Sequence, residues 1–168
     1  MAEFRTIKGK NHLLPDELSN WRRIENTIHS IMEQYGYGEI RTPTFESTEL
    51  FVRGIGTDTD IVNKEMYSWT DQGENTLTLK PELTAPVVRA YLQHQLGKQN
   101  PIHRLYYFDT LFRRERPQKG RQRQFYQFGA EAIGSPNPEQ DAEIIALAFN
   151  IYKGFDIQNM TVRLNSIG

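Results

Sequence analysis

The sequence predicts an α+β domain in which an antiparallel sheet is flanked by helices. Amphipathic helical patterns cover residues 16–35 and the stretch after residue 137, and an alternating pattern over residues 107–134 predicts a long β-hairpin. Strands joined by short turns pair antiparallel, which argues against a doubly wound parallel sheet. With 168 residues, 38% of them hydrophobic, the chain is long enough for one domain with its own core.

The composition excludes several kinds of site. The net charge is −1 and there is no cysteine, so disulfides and thiolate zinc sites are excluded and no global basic field indicates nucleic acid. The four histidines are scattered without metal-ligand spacing, so no metal site is predicted. No apolar run approaches membrane-spanning length, and the N-terminus lacks the apolar core of a secretion signal. We therefore expect a cytoplasmic protein with no membrane partner.

The first helix is predicted over residues 16–35, where apolar side chains recur at three- and four-residue spacing. The next segment, GEIRTPTFE, is predicted to be extended, and Pro43 within it favours a sheet edge or an interface. Residues 53–64 are predicted to form a loop, because Gly54 and Gly56 give the backbone conformational freedom. This glycine pair lacks the helix and lysine context of a phosphate-binding loop.

The segments MYSWT and TLTLK predict a short hairpin around DQGEN. A helix is predicted to follow, with Thr84 as its N-cap and its end near Leu96. Asn137 is predicted to cap the next helix, with Pro138 in its first turn. A final strand is predicted from alternating apolar residues at Met160, Val162 and Leu164.

One face of the long hairpin is predicted to be polar and the other apolar, because positions two apart share a face of a strand. The polar face carries the odd positions, namely Asp109, Leu111, Arg113, Glu115, Arg123, Phe125, Gln127, Gly129 and Glu131. The core face carries the even positions, namely Phe108, Phe112, Tyr126, Phe128, Ala130 and Ala132. The turn is predicted at residues 118–120. A solvated sheet face is the alternative, but the converging charges, the aromatic ring and the room left by Gly129 favour a ligand-binding floor.

The side chains on this floor each suit a particular ligand group. Arg113 presents a planar donor fork for a carboxylate or phosphate. Glu115 suits an amino group such as that of adenine, and Phe125 offers a ring on which a base or an arginine stacks. Gln127 and Glu131 offer acceptors for an ammonium group or an azole N–H.

Basic residues are concentrated beside this floor, at Arg104, Arg113, Arg114, Arg116, Lys119, Arg121 and Arg123. Four of them are predicted to form a mobile cationic flap for a polyphosphate, namely Arg116, Lys119, Arg121 and Arg123, with a solvated loop or a nucleic-acid contact as alternatives. Glu82, just before the predicted cap, is either a partner of the helix dipole or a side chain that points into the neighbouring cleft.

The chain resembles class II aminoacyl-tRNA synthetases, and within them the histidyl-tRNA synthetases. The hairpin sequence FRRERPQKGRQRQFYQFGAEAIG resembles their second signature motif, at about residues 106–134. The first motif is matched at about residues 16–46, with Pro43 as its proline, and TLTLKPELTAPVVRA resembles the amino-acid-binding segment at about residues 76–90. The sequence departs from the family at Leu83, where many relatives have glycine, and at Lys80, where many have arginine.

The resemblance implies activation of histidine with ATP and Mg²⁺ to histidyl-adenylate, transfer to tRNA(His), and a homodimer formed through the first motif. It implies that Arg113 is catalytic and bridges the histidine carboxylate and the α-phosphate. It assigns ATP to Arg113, Glu115, Arg121 and Phe125, and histidine to Glu82, Thr84, Arg113, Gln127 and Glu131. The third motif and the anticodon-binding domain are expected beyond Gly168, so residues 1–168 are interpreted as a partial catalytic domain whose own activity is weak or absent.

Two other functions remain open at this stage. The regulatory subunit of ATP phosphoribosyltransferase resembles these synthetases without charging tRNA, but an intact set of predicted ATP-binding residues favours a synthetase. Another class II synthetase, such as one for proline or threonine, is disfavoured because Gln127 and Glu131 occur together.

Overall fold

The computed structural model describes residues 3–55 and 65–165. The helices are α1 (Pro15–Gln34), α2 (Thr48–Ile55), α3 (Thr84–Gln93), α4 (Leu96–Gln99) and α5 (Pro138–Gly154). The strands are β1 (Gly38–Glu39), β2 (Phe45–Ser47), β3 (Ser68–Thr70), β4 (Thr76–Leu79), β5 (His103–Phe112) and β6 (Gln124–Ile133). The predicted α+β class is confirmed.

The long hairpin of β5 and β6 is the centre of the first sheet, whose strand order is β1-β5-β6. Its antiparallel register runs from His103 opposite Ile133 to Phe112 opposite Gln124, whereas β1 pairs with β5 in parallel. The second sheet has the order β2-β4-β3 and is antiparallel throughout. Lys80 joins the two sheets, because its N–H donates to Thr44 at 3.1 Å and its carbonyl accepts from Phe112 at 3.0 Å.

The middle of the even face packs into the main core, as predicted, but Tyr126, predicted to be a core residue, is 38% exposed and lies against Trp21 of α1. Tyr106 is 3% exposed and belongs to a cluster with Ile28 and Met32 of α1 and Leu147 and Ile151 of α5. Phe108, Phe128 and Ala130 pack against the same cluster. Burial of these apolar side chains fixes both helices on one side of the sheet.

The odd face is only partly open, because α3 covers its centre. Leu83 and Val87 at the start of α3 form a second buried cluster with Tyr107 and Leu111 of β5. The polar side chains of the odd face therefore lie around an apolar patch and not across the whole face.

The loop predicted for residues 53–64 is wrong for its first part, since α2 continues to Ile55. Gly54 is a packing residue there: a Cβ at this position would lie 3.0 Å from the Cβ of Ala85 in α3. Phe51 in the same helix is completely buried. Residues 56–64, including Gly56, lie outside the described residues.

Two helix starts differ in how their first N–H groups are satisfied. Asn137 is the N-cap of α5 with Pro138 in the first turn, as predicted, although its side chain makes no capping hydrogen bond. Thr84, predicted as an N-cap, is instead the first residue of α3. The carboxylate of Glu82 accepts a hydrogen bond from the Ala85 N–H at 3.0 Å and therefore caps the N-terminus of α3. The helix also ends earlier than predicted, at Gln93, before the short α4.

The strand predicted at residues 160–164 is wrong, because these residues form no regular element. Val162 and Leu164 are 51% and 76% exposed. Alternation alone does not make a strand, since its N–H and C=O groups need a neighbouring strand as partner. Within the described part of the chain, no helix is long and apolar enough to cross a membrane.

Candidate nucleotide and amino-acid site

The predicted site residues collect at the turn end of the hairpin and along its odd face. Arg113 and Glu115 lie one and three residues beyond β5, so the prediction that Arg113 is on a strand is wrong. The Arg113 N–H nevertheless donates to the Arg123 carbonyl at 3.0 Å, which continues the hairpin pairing by one step. The predicted turn is confirmed by an isolated bridge between Gln118 and Arg121.

The Arg113 guanidinium is held on one edge and on one face. Its Nε donates to the Pro81 carbonyl at 2.9 Å, and its Cζ lies 5.1 Å from the centre of the Phe125 ring. The cation–π contact and the single hydrogen bond orient the fork while using one of its five N–H groups. A quarter of the side chain is exposed. This is a pre-oriented cation suited to an anionic ligand.

Glu115 connects the arginines of the loop. Its Oε2 lies 3.2 Å from Nη1 of Arg121, and its Oε1 lies 4.0 Å from Nη1 of Arg113. The Arg121 side chain is 61% exposed, whereas that of Glu115 is only 13% exposed. Arg121 is therefore free to swing toward a ligand at the cost of a weak surface ion pair.

A second group of polar side chains lies where α3 meets β6. The Thr84 hydroxyl donates to Oε1 of Glu131 at 2.8 Å, and the Tyr107 hydroxyl donates to the same oxygen at 3.3 Å. Gln127 lies opposite Asp109 in the register and shares the odd face with Glu131. Tyr107 was not among the predicted site residues, although it is an odd position of the hairpin and so shares a face with Asp109.

The sequence predicted open space on the sheet at Gly129, and this prediction is wrong. A Cβ there would lie 2.5 Å from Cζ of Tyr107 and 2.7 Å from its Cε2. The Tyr107 ring fills the space above the glycine. A ligand on this face would therefore meet the Tyr107 hydroxyl and the Glu131 carboxylate instead of the bare sheet.

The Glu131 carboxylate influences the ionisation of two neighbouring groups, Glu82 and Tyr107. Burial raises the pKa of Glu82 above its ordinary value, and the nearby negative charge of Glu131 adds to the increase, while Arg113 opposes it. Burial and Glu131 raise the pKa of the Tyr107 hydroxyl to about 12, which keeps it protonated as a donor. A pair of facing carboxylates in a half-buried site is suited to a cationic ligand group.

A groove leads away from this end between α2 and α3. Its volume is about 830 Å³, and it extends from Glu82 and Thr84 past Val88 to Leu92. A further residue that the sequence analysis did not identify lies beneath the site: Lys80 is 1% exposed, pairs with Asp109, and donates to the Thr42 carbonyl at 3.3 Å. Because Pro81 follows Lys80 directly, this ion pair fixes the carbonyl that orients Arg113.

Comparison with known proteins decides the family. The family model described as histidyl-tRNA synthetase matches residues 9–168. The chain belongs to the histidyl-tRNA synthetase family. It is 55% identical over 167 residues to the histidine–tRNA ligase of Chloroherpeton thalassium, and the matched region covers 99% of this chain and 39% of that protein. It is 53% identical over 162 residues to the histidine–tRNA ligase of Staphylococcus epidermidis, covering 96% of this chain and 38% of that protein. The chain thus spans about two fifths of the length of these curated relatives.

Solved structures agree with this family and with its class II fold. The apo histidyl-tRNA synthetase of S. aureus is 40% identical with a TM-score of 0.77, covering 93% of this chain and 36% of that one. A Bacillus halodurans structure described as an ATP phosphoribosyltransferase regulatory subunit/histidyl-tRNA synthetase is 28% identical with a TM-score of 0.77, covering 92% of this chain and 38% of that one. The antiparallel hairpin with its flanking helices is therefore part of a class II histidyl-tRNA synthetase core.

Proposed function

We propose that this chain carries the ATP- and histidine-binding part of a histidine–tRNA ligase. One observation carries the proposal: Arg113 contacts Phe125 and Glu115 on one side and the Pro81 carbonyl, next to Glu82, on the other. The Arg113 guanidinium thus lies between Phe125 and Glu115, which suit a nucleotide, and Glu82, which suits an amino acid. The identity to histidine–tRNA ligases supports the same assignment.

In the proposed reaction, a carboxylate oxygen of histidine attacks the α-phosphorus of ATP. The bond from that phosphorus to the oxygen bridging the α- and β-phosphates breaks, and pyrophosphate leaves with this oxygen. The product is histidyl-adenylate. A terminal hydroxyl of tRNA(His) then attacks the acyl carbon, its proton is lost, and AMP leaves. Arg113 acts in the first step by holding the carboxylate and the α-phosphate with one fork, which orients the two reactants and neutralises charge that builds up between them. It is the proposed catalytic residue.

The nucleotide end is proposed to consist of Arg113, Glu115, Arg121 and Phe125. Arg113 covers one face of the Phe125 ring, and the adenine stacks on the other. The carboxylate of Glu115 accepts the adenine amino group, while exposed Arg121 moves from Glu115 to the terminal phosphates. Mg²⁺ is proposed to bind with the triphosphate, because among residues 3–55 and 65–165 no cluster of acidic and histidine side chains is arranged to hold a metal.

The amino-acid end is proposed to consist of Glu82, Thr84, Gln127 and Glu131. The α-ammonium group of histidine binds Glu82, Thr84 and Gln127, and Glu131 accepts the imidazole N–H. The raised pKa of Glu82 supports this role, since a ligand cation beside this half-buried carboxylate would favour its charged form. Hydroxyl donors from Thr84 and Tyr107 already fix the direction of the Glu131 carboxylate.

The remaining assignments are also proposals. Residues 16–46, with Pro43, are proposed to form a homodimer interface, and tRNA(His) is proposed as the macromolecular substrate. Charging of tRNA for protein synthesis supports a cytoplasmic location. The 168-residue chain alone is expected to activate histidine weakly, because it spans about two fifths of its ligase relatives. The alternative, a regulatory subunit of ATP phosphoribosyltransferase, is weaker because the chain retains the complete Arg113, Glu115, Arg121 and Phe125 group.

Pyrophosphate exchange into ATP tests this proposal. The assay uses a histidyl-tRNA synthetase of full family length that contains residues 1–168, and each of the common amino acids is supplied in turn. Exchange that depends on histidine alone is the expected result. Exchange with proline or threonine, or none with any amino acid in a folded protein, would overturn it.

A further inference from the structure

The segment at residues 7–10, here called the N-terminal strap, lies across the base of the loop formed by residues 113–123. The Gly9 carbonyl accepts the N–H of Arg123 at 2.7 Å and that of Gln124 at 3.3 Å. Lys10 donates to the Ile7 carbonyl at 3.1 Å, so the strap is itself a closed turn. These bonds attach a segment far away in sequence to the residues where the loop rejoins β6.

The side chain of Arg123 ties the strap to the loop as well. Its Nη1 donates to the Lys8 carbonyl at 3.4 Å, and its Nε donates to the Glu115 carbonyl at 3.3 Å. The Arg123 carbonyl accepts the Arg113 N–H at 3.0 Å. One residue therefore connects the strap with both Arg113 and Glu115.

Gly9 permits this close approach. Its φ is +87°, and a Cβ at this position would lie 2.8 Å from Cγ of Pro117 and 2.9 Å from Cγ of Arg123. Both distances are shorter than carbon atoms tolerate, so any side chain would push the strap away from the loop. The prediction that Arg123 belongs to a mobile cationic flap is therefore wrong, because the strap anchors this residue.

We propose that the N-terminal strap positions the loop of residues 113–123 for ATP, with Gly9 as a positioning residue that does not contact the nucleotide. This inference rests on the proposed function. The strap holds Arg123, and through it Arg113 and Glu115, in the arrangement that the nucleotide requires. Glu82, Thr84 and Glu131 are held by α3 and by the last residues of β6, at the end of that strand away from the strap. Loss of the strap contact therefore weakens ATP binding more than histidine binding.

The first experiment compares Gly9→Ala with Gly36→Ala in a histidyl-tRNA synthetase of full family length that contains residues 1–168. Gly36 is the matched control because its φ is +74° but nothing lies within 4 Å of the added Cβ. Both variants place an alanine at a positive φ, and only Gly9→Ala carries the clash. We expect the KM for ATP in pyrophosphate exchange to rise about tenfold or more in Gly9→Ala, a factor that corresponds to about 1.4 kcal/mol. The KM for histidine should stay near that of Gly36→Ala.

Limited trypsin digestion measures the strap without reference to ATP. Lys119, Arg121 and Arg123 are cleavage sites in the loop, and we expect faster cleavage there in Gly9→Ala than in Gly36→Ala. If the unaltered protein shows no histidine-dependent exchange, the proposed function fails while the digestion still tests the strap. If Gly9→Ala does not fold, Arg123→Lys replaces it, because this change keeps the charge and removes the bonds to Lys8 and Glu115. Equal cleavage in variant and control, or faster cleavage with an unchanged KM for ATP, would overturn the proposal.

Discussion

Tyr107 fills the space that a side chain at position 129 would need, and its hydroxyl reaches Glu131 one step further along the sheet. Tyr107 and Gly129 are directly opposite one another in the antiparallel register. Tyr107 is 4% exposed, so its ring has no room to move aside. The glycine thus determines where the tyrosine hydroxyl lies, and the tyrosine helps to fix the carboxylate proposed to bind imidazole.

Gly129→Ala is expected to destabilise the protein, because the added methyl group overlaps the Tyr107 ring. Overpacking of this kind costs about 1–3 kcal/mol of the free energy of unfolding. Urea denaturation of the chain provides the measurement. Gly38→Ala in β1 is the matched control, since its nearest neighbour would be the Arg104 carbonyl at 3.9 Å. Equal unfolding free energies for the two variants would contradict the contact between Tyr107 and position 129.

Tyr107→Phe is expected to raise the KM for histidine while the KM for ATP stays unchanged. The change removes the hydroxyl that donates to Glu131, and a hydrogen bond of this kind contributes about 1 kcal/mol, which corresponds to roughly a fivefold change. Tyr106→Phe is the control, because this equally buried neighbour faces the other side and bonds to His29 at 2.8 Å. The same KM for histidine in both variants would rule out a role for the Tyr107 hydroxyl in histidine binding.

Asp109→Asn is expected to destabilise the protein strongly, because it leaves the ammonium group of buried Lys80 without its counter-charge. Breaking a buried pair from one side costs about 3–5 kcal/mol. The double variant Lys80→Met with Asp109→Asn should recover part of this loss in urea denaturation, because no unpaired charge remains. Glu3→Gln, in an exposed pair with Arg5, is the control and should leave the unfolding midpoint unchanged. A double variant no more stable than Asp109→Asn would contradict the pairing.

Stability is expected to fall in acid through Glu143. Hydrogen bonds from Arg104, with Nε and Nη2 each 2.8 Å from a carboxylate oxygen, lower the pKa of Glu143 from its ordinary 4.5 to about 2. Because the folded pKa is the lower one, this interaction stabilises the fold above about pH 4.5 and is lost as the pH falls toward 2.

Urea denaturation at pH 6 and pH 3 measures this dependence. Glu143→Gln should lose less stability than the unaltered chain between the two pH values. Glu139→Gln, an exposed position on the same helix, should behave like the unaltered chain. A Glu143→Gln variant with the same acid sensitivity as Glu139→Gln would show that this carboxylate does not contribute.

Local patterns predicted much of the fold. The alternation in the hairpin identified Phe108, Phe128 and Ala130 as core residues, because burial on one face of a strand imposes a period of two. The same pattern brought Phe125 and Glu131 onto the site face. These predictions succeed where a single element determines the environment of each side chain.

The errors arise where distant segments meet. Gly54 was interpreted as a loop residue because its partner, Ala85, belongs to another helix. The local sequence predicts Thr84 as an N-cap, but its hydroxyl donates to Glu131 on a strand 47 residues away. Local sequence patterns likewise do not predict the contact between Gly9 of the strap and Arg123, since this contact depends on where the distant loop lies.

The central claim is that Arg113 joins the ATP and histidine ends of one catalytic site. Histidine-dependent pyrophosphate exchange by Arg113→Lys, in a histidyl-tRNA synthetase of full family length containing residues 1–168, tests it most directly. The lysine keeps the charge but cannot bridge carboxylate and phosphate with a planar fork, so we expect the exchange rate to fall roughly 100-fold or more. Arg114→Lys, at the exposed neighbouring position, should retain the rate of the unaltered enzyme. Equal exchange rates for Arg113→Lys and Arg114→Lys would contradict the assignment of Arg113 and with it the proposed site.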